Sequence, residues 1–186
     1  MSVFKMINKK YNRMEDLEHL VNYAVREDKC IEGVYGAQGL LKGSPEEMFQ
    51  QMFDIKSAYY KKTGRQAKQF ILSFSKEEEG FIGLKEAREI GYMIASYFDK
   101  WQVVFGVHTD RDNLHIHFIL NTVSYVDGLK FTKSLPELRM LGKQIENLIQ
   151  QFYHLKHKPL FTEILSPEDQ AEALFNPEPA RFPCEM

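Results

Sequence analysis

The apolar positions of this chain change period along its length, and each change marks a separate element. Residues 3–9 (VFKMINK) read as a short strand, after which Leu17, Leu20, Val21 and Ala24 recur at helical spacing and predict a helix over Glu15–Glu27. The glycine-bearing stretch 30–43 reads as a loop. Ser44 as a cap, Pro45 at the first helical position and Glu47 closing a capping box then predict a second helix, which Thr63-Gly64 ends. "QFILSFS" (69–75) is rich in β-branched and aromatic residues and reads as a strand. Ala87, Ile90, Gly91, Ile94, Ala95 and Phe98 form a helical stripe. "WQVVFGVHT" and "LHIHFILNTVSY" follow as two strands joined by the polar turn Asp110–Asn113, and a last helix runs from about Pro136 to Leu155 with Ser134 and Glu137 as its capping pair.

Strands separated by helices, with a hairpin in the middle, predict an α/β (α+β) sandwich: a largely antiparallel central sheet of about five strands covered by helices. The expected domain spans residues 1–161. From Thr162 to Met186 the chain carries four of its seven prolines and reads as an appended tail.

Composition adds little until it is divided. The 44% hydrophobic and 13% aromatic content is that of a chain able to bury a core. Its apolar runs are too short for a membrane span and its start too polar for a signal peptide, so a cytoplasmic protein without membrane insertion is expected. Two cysteines supply neither a disulfide framework nor a thiolate metal motif. The net charge of −2 hides an asymmetry: the tail from Thr162 holds six acids and one base, leaving 23 bases and 20 acids in the body. A mildly basic body permits a polyanionic partner.

The densest chemistry lies in "HTDRDNLHIHFILN", where His108, His115 and His117 fall within ten residues. Alternate strand residues share a face, so His115, His117 and Asn121 point one way while Leu114, Ile116, Phe118 and Leu120 point the other. The apolar set is expected on helices and the histidine face toward a cleft. The hairpin returns His108 to the same place, and three neutral imidazoles suit a divalent transition metal with coordination positions left open. Asp110, near the ligands, is placed to orient one of the rings. Lone histidines on such a strand would need no explanation beyond solvation; this spacing on a hairpin favours a metal.

"HTDRDNLHIHFILN" closely resembles the third motif of conjugative relaxases of the mobilization-protein type, in the HUH endonuclease superfamily. "QFILSFSKEE" looks like the second motif and "LEHLVNYAVREDKC" like the first, and "KKTGRQAKQ" and "VDGLKFTK" resemble flanking segments; the likeness runs in order over about residues 1–160. The resemblance implies that the three histidines hold a divalent metal, Mn²⁺ or Mg²⁺ first and Zn²⁺ as an alternative, on a scissile DNA phosphate. It also implies that Tyr23 attacks that phosphate, and that Ser73 lies near the DNA backbone. Single-stranded or extruded DNA at an origin of transfer is then the partner, with accessory mobilization proteins and a coupling protein. Two features depart from the pattern: Gln69 stands where histidine is common, and many relatives continue into a longer region.

Read without the family, Tyr23 lies at the border of the first helix's apolar stripe, where a phenol can pack its ring and expose its oxygen. A phenol of pKa about 10 needs help to attack at neutral pH, and a nearby cation supplies it. Lys29, Arg65 and Asn121 join Ser73 as candidate DNA contacts. Two other readings stay open at this point: a replication initiator using Tyr153 of "YHLK", and a non-catalytic single-stranded DNA-binding module.

Overall fold

The computed structural model describes residues 3–30, 34–76, 82–109 and 113–153. Five strands, β1 (Val3–Tyr11), β2 (Tyr35–Gln38), β3 (Ala67–Ser73), β4 (Trp101–His108) and β5 (His115–Ser124), form one sheet in the order β1-β3-β5-β4-β2. Every neighbouring pair is antiparallel. The helices named among the described residues are α1 (Met14–Ala24), α2 (Pro45–Ala58), α3 (Leu84–Ser96) and α4 (Leu135–Tyr153). The expected tail beyond residue 161 lies outside the described residues.

Local chemistry accounts for most boundaries. Ser44 accepts from Glu47 N at 3.2 Å while Glu47 Oε2 accepts from Ser44 N at 2.8 Å, the capping box that starts α2. Glu137 Oε2 accepts from both the backbone and the hydroxyl of Ser134 at the head of α4. β2 corrects the expected loop over 30–43. It is four residues long and contains Gly36, so no alternation could announce it; pairing with β4 makes it a strand. At Gly36 a β-carbon would press into the rings of Phe105 and Tyr92, so the glycine lets the edge strand lie under α3.

The sheet is covered on both faces. Phe70 and Leu72 of β3, Val103, Phe105 and Val107 of β4, and Ile116, Phe118 and Leu120 of β5 face α3 and α4 in one apolar cluster. Ala67, Val104 and Ile119 face Leu17, Leu20, Val21 and Ala24 of α1 and Met48 and Met52 of α2 in a second. Burial on both sides explains why β5, the central strand, is buried at all ten positions. The histidine face, expected to open on a cleft, is instead buried, with the end of α1 against His108.

A candidate metal centre beside a tyrosine

Gly106 of β4 sets up the site. A β-carbon there would lie 2.7 Å from Ala24 C, closer still to Ala24 O, and 2.9 Å from Cys30 Sγ. Only glycine therefore admits the last turn of α1 against β4. Two residues on and on the same face, His108 Nε2 meets the same Ala24 carbonyl at 2.9 Å. Since a carbonyl only accepts, Nε2 carries the proton and Nδ1 keeps the lone pair.

The hairpin register then assembles the other ligands. His108 is paired with His115 and Gly106 with His117 across β4 and β5. The three rings have centroids 4.6, 5.0 and 5.5 Å apart and are at most 5% exposed. His115 Nδ1 meets Asn113 O at 2.9 Å, so its proton also sits away from the centre and Nε2 is the ligating nitrogen. His117 Nδ1 lies 3.3 Å from the side-chain amide of Gln69, whose Oε1 accepts from the Tyr11 hydroxyl at 2.6 Å. A neutral His117 ligating through Nε2 must donate from Nδ1, so the amide then turns its oxygen to the ring and its nitrogen to the Tyr11 oxygen, and the chain stays intact.

One nitrogen from each ring falls in a set spanning no more than 4.8 Å. The three nitrogens are therefore close enough together for one divalent ion to be held by all of them. The donors fit a divalent metal. Three neutral imidazoles, each anchored through its outer nitrogen, are a preorganised ligand set and an expensive way to fill a core.

Tyr23 projects from the last turn of α1 into this cluster. Its ring meets those of His108 and His117 edge-on, with centroids at 5.3 and 5.1 Å. The Lys29 ammonium lies 4.9 Å from the Tyr23 ring centroid. Ser73 pairs directly with His115 across β3 and β5 and is half-buried at the edge of the site. The structure thus brings together Tyr23, Lys29, Ser73 and the three histidines.

Other expected residues lie elsewhere. Asn121 shares the histidine face, but at the far end of β5 and fully buried. Its amide donates to Met52 O at 3.0 Å and Gln102 Oε1 at 2.8 Å, and its oxygen accepts from Val123 N, so it anchors α2 to the sheet and is shut off from DNA. Arg65 precedes β3 at that same distant end. Asp110 lies outside the described residues. Tyr11 and Gly106 were missed from the sequence, and Gln69 was noted there only as a departure from the family pattern; for Gly106 the signal was a glycine inside "WQVVFGVHT", since a strand glycine marks close backbone approach.

The nuclease-domain profile of the MobA/VirD2-like relaxases matches residues 23–155. Protein rlx of Staphylococcus aureus is 31% identical over 97 residues, covering 52% of this chain and 29% of that protein. A second Staphylococcus aureus protein rlx is 26% identical over 97 residues and covered for 30% of its length. The chain therefore spans less than a third of these curated relatives. Among solved structures, the relaxase domain of MobM, bound to plasmid oriT DNA and manganese, superposes with a TM-score of 0.58 at 14% identity, covering 92% of this chain and 99% of that one. A structure concerned with vancomycin-resistance transfer in Staphylococcus aureus gives a TM-score of 0.54 at 11% identity, over 84% and 98%. These two likenesses concern the fold.

Proposed function

This chain belongs to the MobA/VirD2-like relaxase nuclease family, and from that premise we propose that it nicks single-stranded DNA at an origin of transfer through Tyr23. One observation carries the reading: the Tyr23 ring packs edge-on against two of three converging histidines. The phenol oxygen, having lost its proton, forms the new bond to phosphorus, and the strand's 3′ oxygen leaves and takes up a proton. The product is a 5′-phosphotyrosine and a free 3′ hydroxyl. Because one phosphate ester replaces another, the 3′ hydroxyl can attack in turn and reseal the strand without ATP. A divalent ion held by His108, His115 and His117 would supply positive charge for the phosphate oxygens and favour the phenolate. Lys29, over the phenol ring, adds positive charge where the backbone must pass, and Ser73 offers a hydroxyl beside His115.

The substrate is single-stranded or extruded, because in-line attack needs a splayed backbone. Accessory mobilization proteins open the origin and a coupling protein takes the nicked strand onward, in the cytoplasm. Among the described residues no helix is long and apolar enough to cross a membrane. Asp110, two residues after His108 in sequence, is proposed to steady a ligating ring. The initiator alternative is disfavoured because Tyr153 ends α4, whose Leu138, Leu141, Ile145 and Ile149 pack on the face opposite the histidines.

The test is incubation with single strands tiled across the DNA flanking the gene, with Mn²⁺ or with EDTA. A covalent protein–DNA adduct that needs the metal is expected. No adduct on any strand would leave a DNA-binding module.

A further inference from the structure

The end of the sheet remote from the histidines has a character the catalytic reading leaves unused. The metal end is marked by the pair His108–His115 and the remote end by Trp101–Ser124, seven positions along β4. At about 3.3 Å per residue the two ends lie roughly 23 Å apart. Two loops meet at the remote end, the α2–β3 loop and the β5–α4 loop. Tyr59 Oη donates to Val126 O at 3.3 Å, Thr122 Oγ1 to Arg65 O at 2.7 Å, and the Lys130 ammonium to Thr63 O.

These loops concentrate positive charge. Between Ile55 and Gln69 the sequence has five bases and no acid. Lys61, Lys62 and Arg65 stand there without an ion pair to a described acid, and Lys130 reaches Thr63 and Gly64 from the other loop. The two carboxylates nearby are engaged, Asp127 with Lys100 at 3.5 Å and Glu137 with the Ser134 cap. Burial, and after it the charge of Lys61, holds the Lys130 ammonium below the ordinary lysine range; burial and then Arg65 do the same to Lys68. An arriving phosphate would relieve that crowding.

Shape adds two independent signs. Tyr60 is 92% exposed and sits at φ 56°, a left-handed conformation that costs a bulky residue energy. A ring held out at such a cost, just before Lys61 and Lys62 in the chain, is an available stacking surface. At the same end of the sheet, a cavity of about 390 Å³ is lined by Trp101, by Lys100, Lys130 and Lys133, and by Asp127 and Glu137.

We propose that this remote end is a second DNA-binding surface, with Lys61, Lys62, Arg65 and Lys130 on backbone phosphates and Tyr60 stacking a base several nucleotides from the scissile bond. This rests on the reading of the chain as a DNA-processing domain. The contact is sequence-independent and touches no reacting atom, so it governs how tightly the strand is held and leaves the chemistry alone.

The test uses the full chain without metal, and a labelled mixed-sequence single strand long enough to span the sheet, with anisotropy read between about 50 and 200 mM salt. Lys61→Gln/Lys62→Gln should weaken binding roughly tenfold and flatten the logarithmic salt slope by about 1.4, two phosphates at ~0.7 each. Tyr60→Gly, which accepts the left-handed backbone more easily than tyrosine, should lose roughly fivefold or more with the slope unchanged. Mn²⁺ affinity measured by calorimetry should stay at wild type in both. Unchanged DNA affinity in either variant overturns the proposal, as does a loss of Mn²⁺ affinity alongside it. Binding without metal needs no cleavage, so failure of the tyrosine chemistry would not produce these results.

Discussion

Gly106→Ala is the most informative change away from the reacting groups. The added methyl would stand 2.7 Å from Ala24 C and 2.9 Å from Cys30 Sγ, against an ordinary contact of about 3.5 Å or more, and the end of α1 would have to retreat by an ångström or more. That movement stretches the 2.9 Å bond between His108 Nε2 and Ala24 O beyond hydrogen-bonding range. A buried donor left unsatisfied costs about 1–3 kcal/mol, and overpacking adds about 1–3, so a destabilisation of roughly 2–6 kcal/mol is expected in urea unfolding. Tyr23 rides on the same turn, and a misplacement of about 1 Å can lower strand cleavage on the order of a hundredfold. Calorimetric Mn²⁺ affinity should fall too, because His108 loses the partner that sets its tautomer. A Gly106→Ala protein within about 0.5 kcal/mol of wild type and fully active would refute the account of how α1 builds the site.

Gln69→Leu removes the acceptor for His117 Nδ1 and should weaken Mn²⁺ binding about 10–100-fold, while Gln69→Glu, still an acceptor, should restore much of it; equal affinities in the two variants would argue against the role. Lys56 is fully buried, and burial, then Lys130, lowers its pKa to about 7. In the unfolded chain it stays protonated to about 10.4, so folding stability should rise with pH between about 7 and 10 and be lowest below 7. Lys56→Met should therefore stabilise the protein more at pH 6 than at pH 10, and a pH-independent difference in urea midpoint would contradict this. Asp110→Asn should slow nicking more than it weakens DNA binding, and equal losses in paired nicking and gel-shift assays would count against an orienting role.

How far the site could be read from the sequence depends on whether its contacts are local. The triad was legible because strand alternation and a short hairpin bring His108, His115 and His117 together without reference to the rest of the fold. The alternation of Leu114, Ile116, Phe118 and Leu120 likewise announced a buried face. It could not reveal that the opposite face is buried as well, because polar histidines there mimic a solvated pattern; the cover comes from α1 and α2, distant in sequence. Asn121 misled for the same reason: it shares the face of the histidines but has its partners, Met52 O and Gln102, at the other end of the strand. Gln69 lies 48 positions from His117 and Tyr11 another 58 before it, spacings that leave no local trace. β2 escaped because a short edge strand with a glycine is defined by pairing alone.

The most direct measurement is to locate the nucleotide in the covalent adduct. After incubation with origin strands and Mn²⁺, trypsin digestion and mass spectrometry should place the added nucleotide on the peptide Met14–Arg26, which contains Tyr23. Tyr23→Phe should abolish the adduct while leaving the fold and Mn²⁺ affinity intact, since only the attacking oxygen is lost. A nucleotide found instead on the peptide Gln144–Lys156, which contains Tyr153, would contradict the account.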